Sequence, residues 1–306
     1  MKGIVIKKNK IKFWRGIKEY IKSQLGISLG RFHSFKEYPL ACLSRIEEKD
    51  ASHLKLKFSI VTPSYNQGRF ISETIESVLN QGYPLFEYII QDALSTDETK
   101  DVVGAFRDNR LRAFFERDEG QSDAINRGFR RSSGDIMCYL NSDDIMLPGT
   151  LQHVASIFDV RPDVDVIYAD RFIIDEDSRV VGDWRLPPHD RSVIRIVDYI
   201  PQETLFWRRP LWEKVGGMDA ALHFAMDWDL ILRFESAGAK FIHVPEFLGA
   251  FRVHQQQKTQ EKIKLGKKEM ALIRRRYTGI MKRAVFQISR LRYLMLHRKI
   301  NKKPIL

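Results

Sequence analysis

Two cysteines in 306 residues, Cys42 and Cys138, cannot build a disulfide framework, so a reducing compartment is the expectation. No apolar run approaches the ~20 residues that cross a bilayer, and no uninterrupted apolar core of the signal-peptide kind opens the chain. A cytoplasmic protein is therefore expected, attached at most peripherally to the inner face of the cell membrane. The loop Pro63-Ser-Tyr-Asn-Gln-Gly-Arg lacks the basic, glycine-rich character that cradles a triphosphate. No internal repeat or low-complexity segment is evident.

Negative charge is scarce at both ends. Residues 1–24 carry eight Lys/Arg against one acid and residues 262–306 carry fifteen against one, so a net charge of +12 conceals a middle at −9. A duplex-binding domain should carry its basic surface on the folded body, so no nucleic acid partner is expected. Basic ends on an acidic body suit an anionic membrane surface or an acidic partner. At 43% hydrophobic residues the body has the makings of an ordinary core.

Hydrophobic patterning divides the chain into a basic N-terminal extension (residues 1–56), a central domain (57–260) and a basic tail (261–306). In the first, Trp14, Ile17, Ile21 and Leu25 recur at helical spacing, which fits either a helix lying on a bilayer or one docked on the domain. Residues 57–144 alternate strand and helix. Strands are predicted from Phe58, over Phe86-Glu-Tyr-Ile-Ile-Gln, over Leu111 to Phe115 and over Ile136 to Leu140. Helices follow Gly68, Ser95-Thr-Asp-Glu98, which has capping-box spacing, and Ser122. Such alternation implies an α/β fold with a Rossmann-like, doubly wound, mostly parallel sheet.

The second half, 145–260, is less regular. A hairpin is predicted about Asp177-Ser178, and residues 182–198, with Pro187, Pro188 and His189, look like a loop able to fold over a bound substrate. Ile200 to Trp207 is predicted as a strand, Pro210 to Gly216 as a short helix with a glycine stop, and Ala225 onward as a helix with acids at its positive end. In the tail, Tyr277, Ile280, Met281, Ala284, Val285, Ile288, Leu291 and Met295 keep helical spacing among Arg and Lys, open between a helix packed on the body and an interfacial one.

Carboxylates gather where the strands end. The run Ile136 to Leu140 breaks into Asn141-Ser-Asp-Asp144, and open α/β sheets hold their ligands at the carboxyl edge. Two adjacent acids, Asp143 and Asp144, are costly unless a cation is shared. Mg²⁺ or Mn²⁺, which take the rest of their ligands from water and substrate phosphates, fit best and point to a nucleotide diphosphate. The same residues also suit a solvated Asx turn.

Eight blocks, in order, resemble a family 2 glycosyltransferase of the GT-A fold, of the type common in bacterial cell-surface polysaccharide assembly. They are Ser59-Ile-Val-Thr-Pro-Ser-Tyr-Asn, Ser77-Val-Leu-Asn-Gln, Gln91-Asp-Ala-Leu-Ser-Thr-Asp, Asp118-Glu-Gly-Gln-Ser-Asp-Ala-Ile-Asn-Arg-Gly, Leu140-Asn-Ser-Asp-Asp, Trp212-Glu-Lys-Val-Gly-Gly-Met-Asp, Met226-Asp-Trp-Asp-Leu and Phe251-Arg-Val-His. The resemblance spans about Lys57 to Thr259. It implies a nucleotide-binding half, 57–144, and an acceptor-binding half, 145–260.

The resemblance also implies roles. Thr62, Pro63 and Asn66 would line the nucleotide pocket, Asp92 would meet the base or ribose, and Asp123 with Asn126 would close it. Pairing with a helix dipole is the structural alternative for Asp123. Asp143 would be the main protein ligand to Mn²⁺ or Mg²⁺ and would meet the diphosphate, since the first acid of the family's metal motif is here Asn141. His254 resembles a late histidine completing that site, or is a packed side chain. Asp227 resembles the general base that takes the proton of an acceptor hydroxyl, with Asp229 as runner-up. Gln202 and Trp207 are expected either as acceptor contacts or as half-buried strand residues.

The function implied is an inverting transfer of sugar from a nucleotide-diphosphate donor, UDP-linked by expectation, to a glycan or lipid-linked acceptor. A nucleotidyltransferase is a second reading, though the loop after the first strand does not favour it. A non-catalytic, nucleotide-binding adaptor is a third, against which the presence of both Asp143 and Asp227 weighs.

Overall fold

The computed structural model describes residues 54–254 and 263–278, the short pieces 31–32 and 38–39, and residues 288, 291–293 and 295. The basic helix expected over residues 11–25 lies outside these. A single sheet runs in the order β1-β9-β8-β10-β6-β3-β4-β5, with β11 paired to β7 and β8 and β2 to β9. Its strands are β1 (Arg31–Phe32), β2 (Tyr38–Pro39), β3 (Phe58–Ser64), β4 (Phe86–Asp92), β5 (Leu111–Phe115), β6 (Ile136–Tyr139), β7 (Ile145–Met146), β8 (Val166–Ile174), β9 (Arg179–Trp184), β10 (Phe206–Arg208) and β11 (Phe241–Arg252).

The first half is parallel throughout, β3 pairing with β4 and β6, and β4 with β5. Every residue of β3, β4 and β6 is buried, as expected where helices cover both faces. Alternate residues serve two separate cores. Val61, Ile89, Met137 and Tyr139 face a cluster with Ile125 and Phe129 of α3 (Gln121–Arg130). Ile60, Tyr88, Ile90 and Cys138 face one with Ile71, Ile75 and Val78 of α1 (Gly68–Leu79) and Val103 of α2 (Thr99–Ala105). Strand periodicity thus sends β6 side chains to opposite layers, Tyr139 to one and Cys138 to the other.

Close approach requires glycine where α3 returns to the sheet. A Cβ on Gly134 would lie 2.6–2.7 Å from the Phe58 and Lys57 backbone, and on Gly128 2.5 Å from Val61. The second half is mixed. Antiparallel β10 bridges β6 and β8, while β11 runs parallel to β8 along its length and pairs antiparallel with the short β7 at Gly249 and Ala250. The predicted hairpin is present, Ile174 facing Val180.

Several local expectations need correction. Ser95 is not a helix cap: its hydroxyl goes to Asp92, and α2 begins at Thr99, whose N–H and hydroxyl donate to Asp97. Residues 182–198 are not a loose cover. Leu186, Val193, Ile194, Ile196 and Val197 join the core, and the Tyr168 hydroxyl donates to the Pro187 carbonyl at 2.7 Å. The predicted strand 200–207 is a 3₁₀ turn, Gln202–Thr204, before the short β10.

Four further helices complete the described residues: α4 (Thr150–Val160), α5 (Arg191–Ile194), α6 (Arg209–Val215) and α7 (Met226–Ser236), with α8 (Ile263–Thr278) beyond. The expected glycine stop of α6 is Gly216 at φ 78°, a left-handed position that glycine takes without steric cost. Although α8 falls in the basic tail, it packs on the domain through Met270 and Ile273. Among the described residues no helix is long and apolar enough to cross a membrane.

Candidate active site

The adjacent carboxylates Asp143 and Asp144 meet opposite fates. Asp144 is fully buried. Its Oδ1 accepts from the Arg252 N–H at 3.0 Å, and its Oδ2 from Gln202 Nε2 at 2.8 Å and Asn141 Nδ2 at 3.3 Å. Burial, then the charges of Asp143 and Glu203, push its carboxyl well above the usual carboxylate range. Asp143 keeps 17% of its side chain exposed, and His254 Nε2 lies 2.9 Å from its Oδ2. His254 itself is almost sealed, packed at 4.7 Å against the Phe70 ring.

Arg252, fully buried, holds this turn in place. Its Nε donates to the Asp143 carbonyl at 2.8 Å, Nη1 to Ser178 Oγ at 2.8 Å and Nη2 to Glu73 Oε2 at 2.9 Å. One guanidinium therefore binds the acidic turn, the β8–β9 hairpin turn and α1 together. Its five-donor fork suits such a junction.

The loops after β3 and β4 grip each other. The Asn66 N–H donates to Ser95 Oγ, Asn66 Oδ1 accepts from the Thr96 N–H, and the Gly68 N–H donates to Asp97. Asn66 and Leu94 sit at φ 52° and 62°. A left-handed leucine costs roughly 1–2 kcal/mol, strain that tends to collect at ligand-binding loops. Asp92 is buried, both its oxygens accepting from Ser95. Thr62, also buried, bonds the Tyr88 hydroxyl at 2.9 Å, and Pro63 is buried beside it, so only Asn66 of that trio is exposed.

On α3, Asp123 pairs with Arg127 at 2.8 Å and accepts from the Glu119 N–H at the helix start. Both the Asn126 amide N–H and carbonyl are used on Met218, at 3.0 and 2.8 Å, which fixes the Gly217 turn ahead of α7. Asp227, in the first turn of α7, is half-buried and accepts from the Trp228 N–H at 2.8 Å. Asp229 is fully buried and bonded to Arg233 at 2.7 Å and Arg276 at 3.1 Å, a structural ion network that removes it as an alternative base.

Acids of the turn after β6 and of α7 both bear on the electrostatics of one buried tyrosine. Tyr139, at the end of β6, is raised well above its usual range by burial and then by Asp227, Glu203, Asp198 and Asp144. Arg171 acts on Asp144 and Asp198 alike. Its guanidinium is ion-paired to Glu203 at 2.7 Å and lies over the Trp184 and Phe251 rings. Asp198 is pushed well above the carboxylate range by burial and by Asp227. A separate hollow of about 290 Å³, lined by Glu116, Arg127, Arg130 and Arg131, has Arg127 and Arg131 turned onto Glu116 and carries none of these acids.

Two expected acceptor contacts are corrected. Trp207 has no exposed surface and stacks on Trp212 in the core. Gln202 is buried and spends its amide N–H on Asp144.

The sequence profile of Glycosyl transferase family 2 matches residues 59–230, more than half of the chain. The chain belongs to glycosyltransferase family 2. It is 27% identical to an uncharacterized glycosyltransferase of Nostoc sp. over 65% of each chain. It is also 27% identical to the O-antigen biosynthesis protein RfbC of Myxococcus xanthus, over 70% of this chain but only 18% of that protein. With a PGL/p-HBAD biosynthesis glycosyltransferase of Mycobacterium bovis it shares 29% identity, over 61% of this chain and 74% of the other. The chain thus spans less than two thirds of the length of the first two.

Among solved structures, S. aureus TarS 1–349 in complex with UDP-GlcNAc aligns with TM-score 0.59 at 18% identity, over 80% of this chain and 73% of that one. The mannosyltransferase PcManGT of Pyrobaculum calidifontis, in complex with GDP-Man and Mn²⁺, aligns with TM-score 0.53 at 18% identity, over 86% and 69%. The expected GT-A fold, Rossmann-like with a curled sheet, is what these likenesses show.

For this family member the expected site residues fall into two sets. Asp143, Asp227 and the loop residue Asn66 keep solvent access, while His254 is buried with Asp143 as its partner. Thr62, Asp92, Asn126 and Trp207 are taken up by the protein itself. Sequence reasoning missed Tyr139, Arg171, Asp198 and Glu203, because nothing in their local pattern distinguishes them from core or surface residues. For Arg252 a signal existed, its place in the Phe251-Arg-Val-His block.

Two outcomes follow from these environments. Asp144→Ala leaves three donors without their acceptor and should lower stability by about 1–3 kcal/mol in urea unfolding. For Asp198, a raised folded-state pKa means stability present at low pH and lost as pH climbs from the unfolded value, near 4, toward the folded one. Asp198→Asn removes that loss, so its Tm relative to the parent should rise between pH 4 and 8; a difference independent of pH would contradict the assignment.

Proposed function

We propose that the chain is an inverting glycosyltransferase moving a sugar from a nucleotide-diphosphate donor, UDP-linked, to a glycan or lipid-linked saccharide in surface polysaccharide assembly. The observation that carries the reading is Asp143, kept 17% exposed after β6 with His254 as its partner, in a chain whose other candidate acid, Asp227, stays half-buried in the first turn of α7. TarS and PcManGT carry UDP-GlcNAc and GDP-Man, donors of this class. RfbC and the mycobacterial relative are named for O-antigen and PGL/p-HBAD biosynthesis.

In this reading Asp227 is the base. Its Oδ1 is oriented by the Trp228 N–H, and its position in the first turn of α7 places the helix dipole on the anionic form. An acceptor hydroxyl gives its proton to Asp227 as its oxygen bonds the anomeric carbon. The bond from that carbon to the diphosphate oxygen breaks, its electron pair leaving with the diphosphate. One displacement inverts the anomeric centre.

Asp143 and His254 would hold Mn²⁺ or Mg²⁺. An oxygen and a nitrogen donor 2.9 Å apart at the carboxyl edge fit such an ion. Among the described residues no group of three or more His, Cys, Asp or Glu converges as a metal site, so water and diphosphate oxygens would complete the shell. When bound, the cation supplies stabilisation of the charge developing on the leaving diphosphate. Asn66, Asp92 and Asp123 remain proposed nucleotide contacts, Asp92 and Asp123 through loop rearrangement or remaining lone pairs, with Thr62, Pro63 and Asn126 shaping that pocket from behind.

The tail is proposed to touch an anionic membrane surface. Tyr293 is buried against Tyr199 and Arg292 pairs with Asp190 at 2.6 Å, while Ile288, Leu291 and Met295 are more than half exposed. Of the expected apolar stripe, Ile280, Met281, Ala284 and Val285 lie outside the described residues.

A panel of UDP- and GDP-sugars tests the reading. Nucleotide release with a saccharide acceptor should fall at least about 100-fold in Asp227→Asn and vanish in Asp143→Ala at every Mn²⁺ concentration; binding without turnover by the parent would support the adaptor instead. For the membrane, the full chain should float with anionic vesicles, release as salt rises, and lose binding on Leu291→Asp with Met295→Asp. Equal binding to neutral vesicles would end that proposal.

A further inference from the structure

The turn that delivers Asp227 is held by a helix beyond the family's matched region, which ends at residue 230. Helix α7 has no side-chain cap of its own, Ala225 standing at its N-cap. Instead Glu269 of α8, 6% exposed, reaches across and accepts from three successive N–H groups, those of His223 at 2.9 Å, Phe224 at 2.8 Å and Ala225 at 2.9 Å. Three amides converging on one carboxylate form an anion nest at the positive end of a helix.

Two further contacts seat α8 there. A Cβ on Gly266 would lie 2.7 Å from the Phe224 ring, so glycine is what lets the helix come this close. Arg276 and Tyr277 both reach Asp229, at 3.1 and 3.4 Å. From the opposite side, Ser122 Oγ of α3 donates to the Leu222 carbonyl at 2.7 Å. The turn before Asp227 is thus gripped between the proposed nucleotide half and α8.

We propose that Glu269 is a positioning residue for transfer: through the 223–225 amides it fixes the entry of α7 and hence the direction of the Asp227 carboxylate. This rests on Asp227 being the base. Without that carboxylate the 223–225 amides lose their acceptor, among them the N-cap amide of Ala225, and the entry into the first turn of α7 would loosen. Displacement of a reacting group by about 1 Å costs on the order of 100-fold in rate. Donor binding, which involves the other half of the molecule, would be untouched.

The test compares the full-length parent with Glu269→Gln, which keeps size but turns an NH₂ toward the three donors. With any donor the parent turns over, kcat should fall about 10- to 100-fold, with KM for donor and calorimetric affinity for UDP or GDP held within twofold. Gly266→Ala, which pushes α8 off Phe224 without touching the carboxylate, should move kcat the same way, and Glu269→Asp should recover part of the loss. Hydrogen exchange of the 223–225 amides should accelerate in Glu269→Gln. Unchanged exchange overturns the proposal whether or not a donor is found, and unchanged kcat with accelerated exchange overturns the link to Asp227. Failure of the parent to bind any nucleotide would instead count against the transferase reading.

Discussion

The buried guanidinium of Arg252 is the interaction on which the acidic edge of the sheet depends. A turn bearing two adjacent carboxylates would separate them toward solvent if nothing held it. Arg252 uses its backbone N–H on Asp144 and its Nε on the Asp143 carbonyl, which turns one acid inward and leaves the other at the rim beside His254. Removing a charged group from water is unfavourable unless its donors are matched. Here they are matched by Ser178, Glu73 and the Asp175 carbonyl, so three chain segments distant in sequence share one anchor. Arg252 closes β11, and that long strand lies along both β8 and β7. The position of the rim carboxylate is therefore a property of the whole second half of the sheet.

The α7 side is anchored by different means. Asn126 and Ser122 from α3 fasten the segment before α7 to the first half of the domain, while Glu269 and Arg276 fasten it from α8. Asp229, two residues beyond Asp227, illustrates the division of labour along a helix: period 3.6 turns it to another face, where it is buried and ion-paired while its neighbour stays half open. For the proposed role of Asp227 as proton acceptor, rigid supports would matter because a proton-transfer geometry tolerates little slack. All of these but the Arg276–Asp229 pair are side-chain-to-backbone bonds, which are directional.

Much of this was legible beforehand, and the reasons differ by element. Strands β3, β4 and β6 are continuous apolar runs that end in polar residues, and the helices between them carry clear periodicity, so the parallel half could be read from sequence. The second half could not be read as well. Residues 182–198 carry prolines and charges that look like a surface loop, yet Leu186, Val193 and Ile194 supply core contacts that only the tertiary fold reveals. Asp143, Asp227 and His254 were recognisable because the family resemblance covers them. For Trp207 both readings stayed open because a tryptophan in a strand can face a ligand or a core, and local pattern does not distinguish the two. Glu269 was invisible for another reason: its partners are backbone amides more than forty residues away, and a single acid in a basic helix leaves no motif.

The electrostatics of the site bear on what it can bind. Asp144, Asp198, Glu203 and Asp227 all act on Tyr139, and Asp143 acts on Asp144. Arg171 acts on this group, but Glu203 already pairs with it, and Arg274 nearby is itself shifted downward by burial. A nucleotide diphosphate, itself anionic, would meet like charge at these acids. Either several carboxylates are protonated, as burial favours for Asp144 and Asp198, or a cation arrives with the ligand. Protonation answers for the inner acids, whose charge would otherwise be stranded away from water. Asp143 stands apart from these, at the rim and next to an imidazole. In the proposed reaction a divalent ion shared between Asp143 and the diphosphate would offset that like charge at the rim, and Asp227 would be the acid that takes the proton.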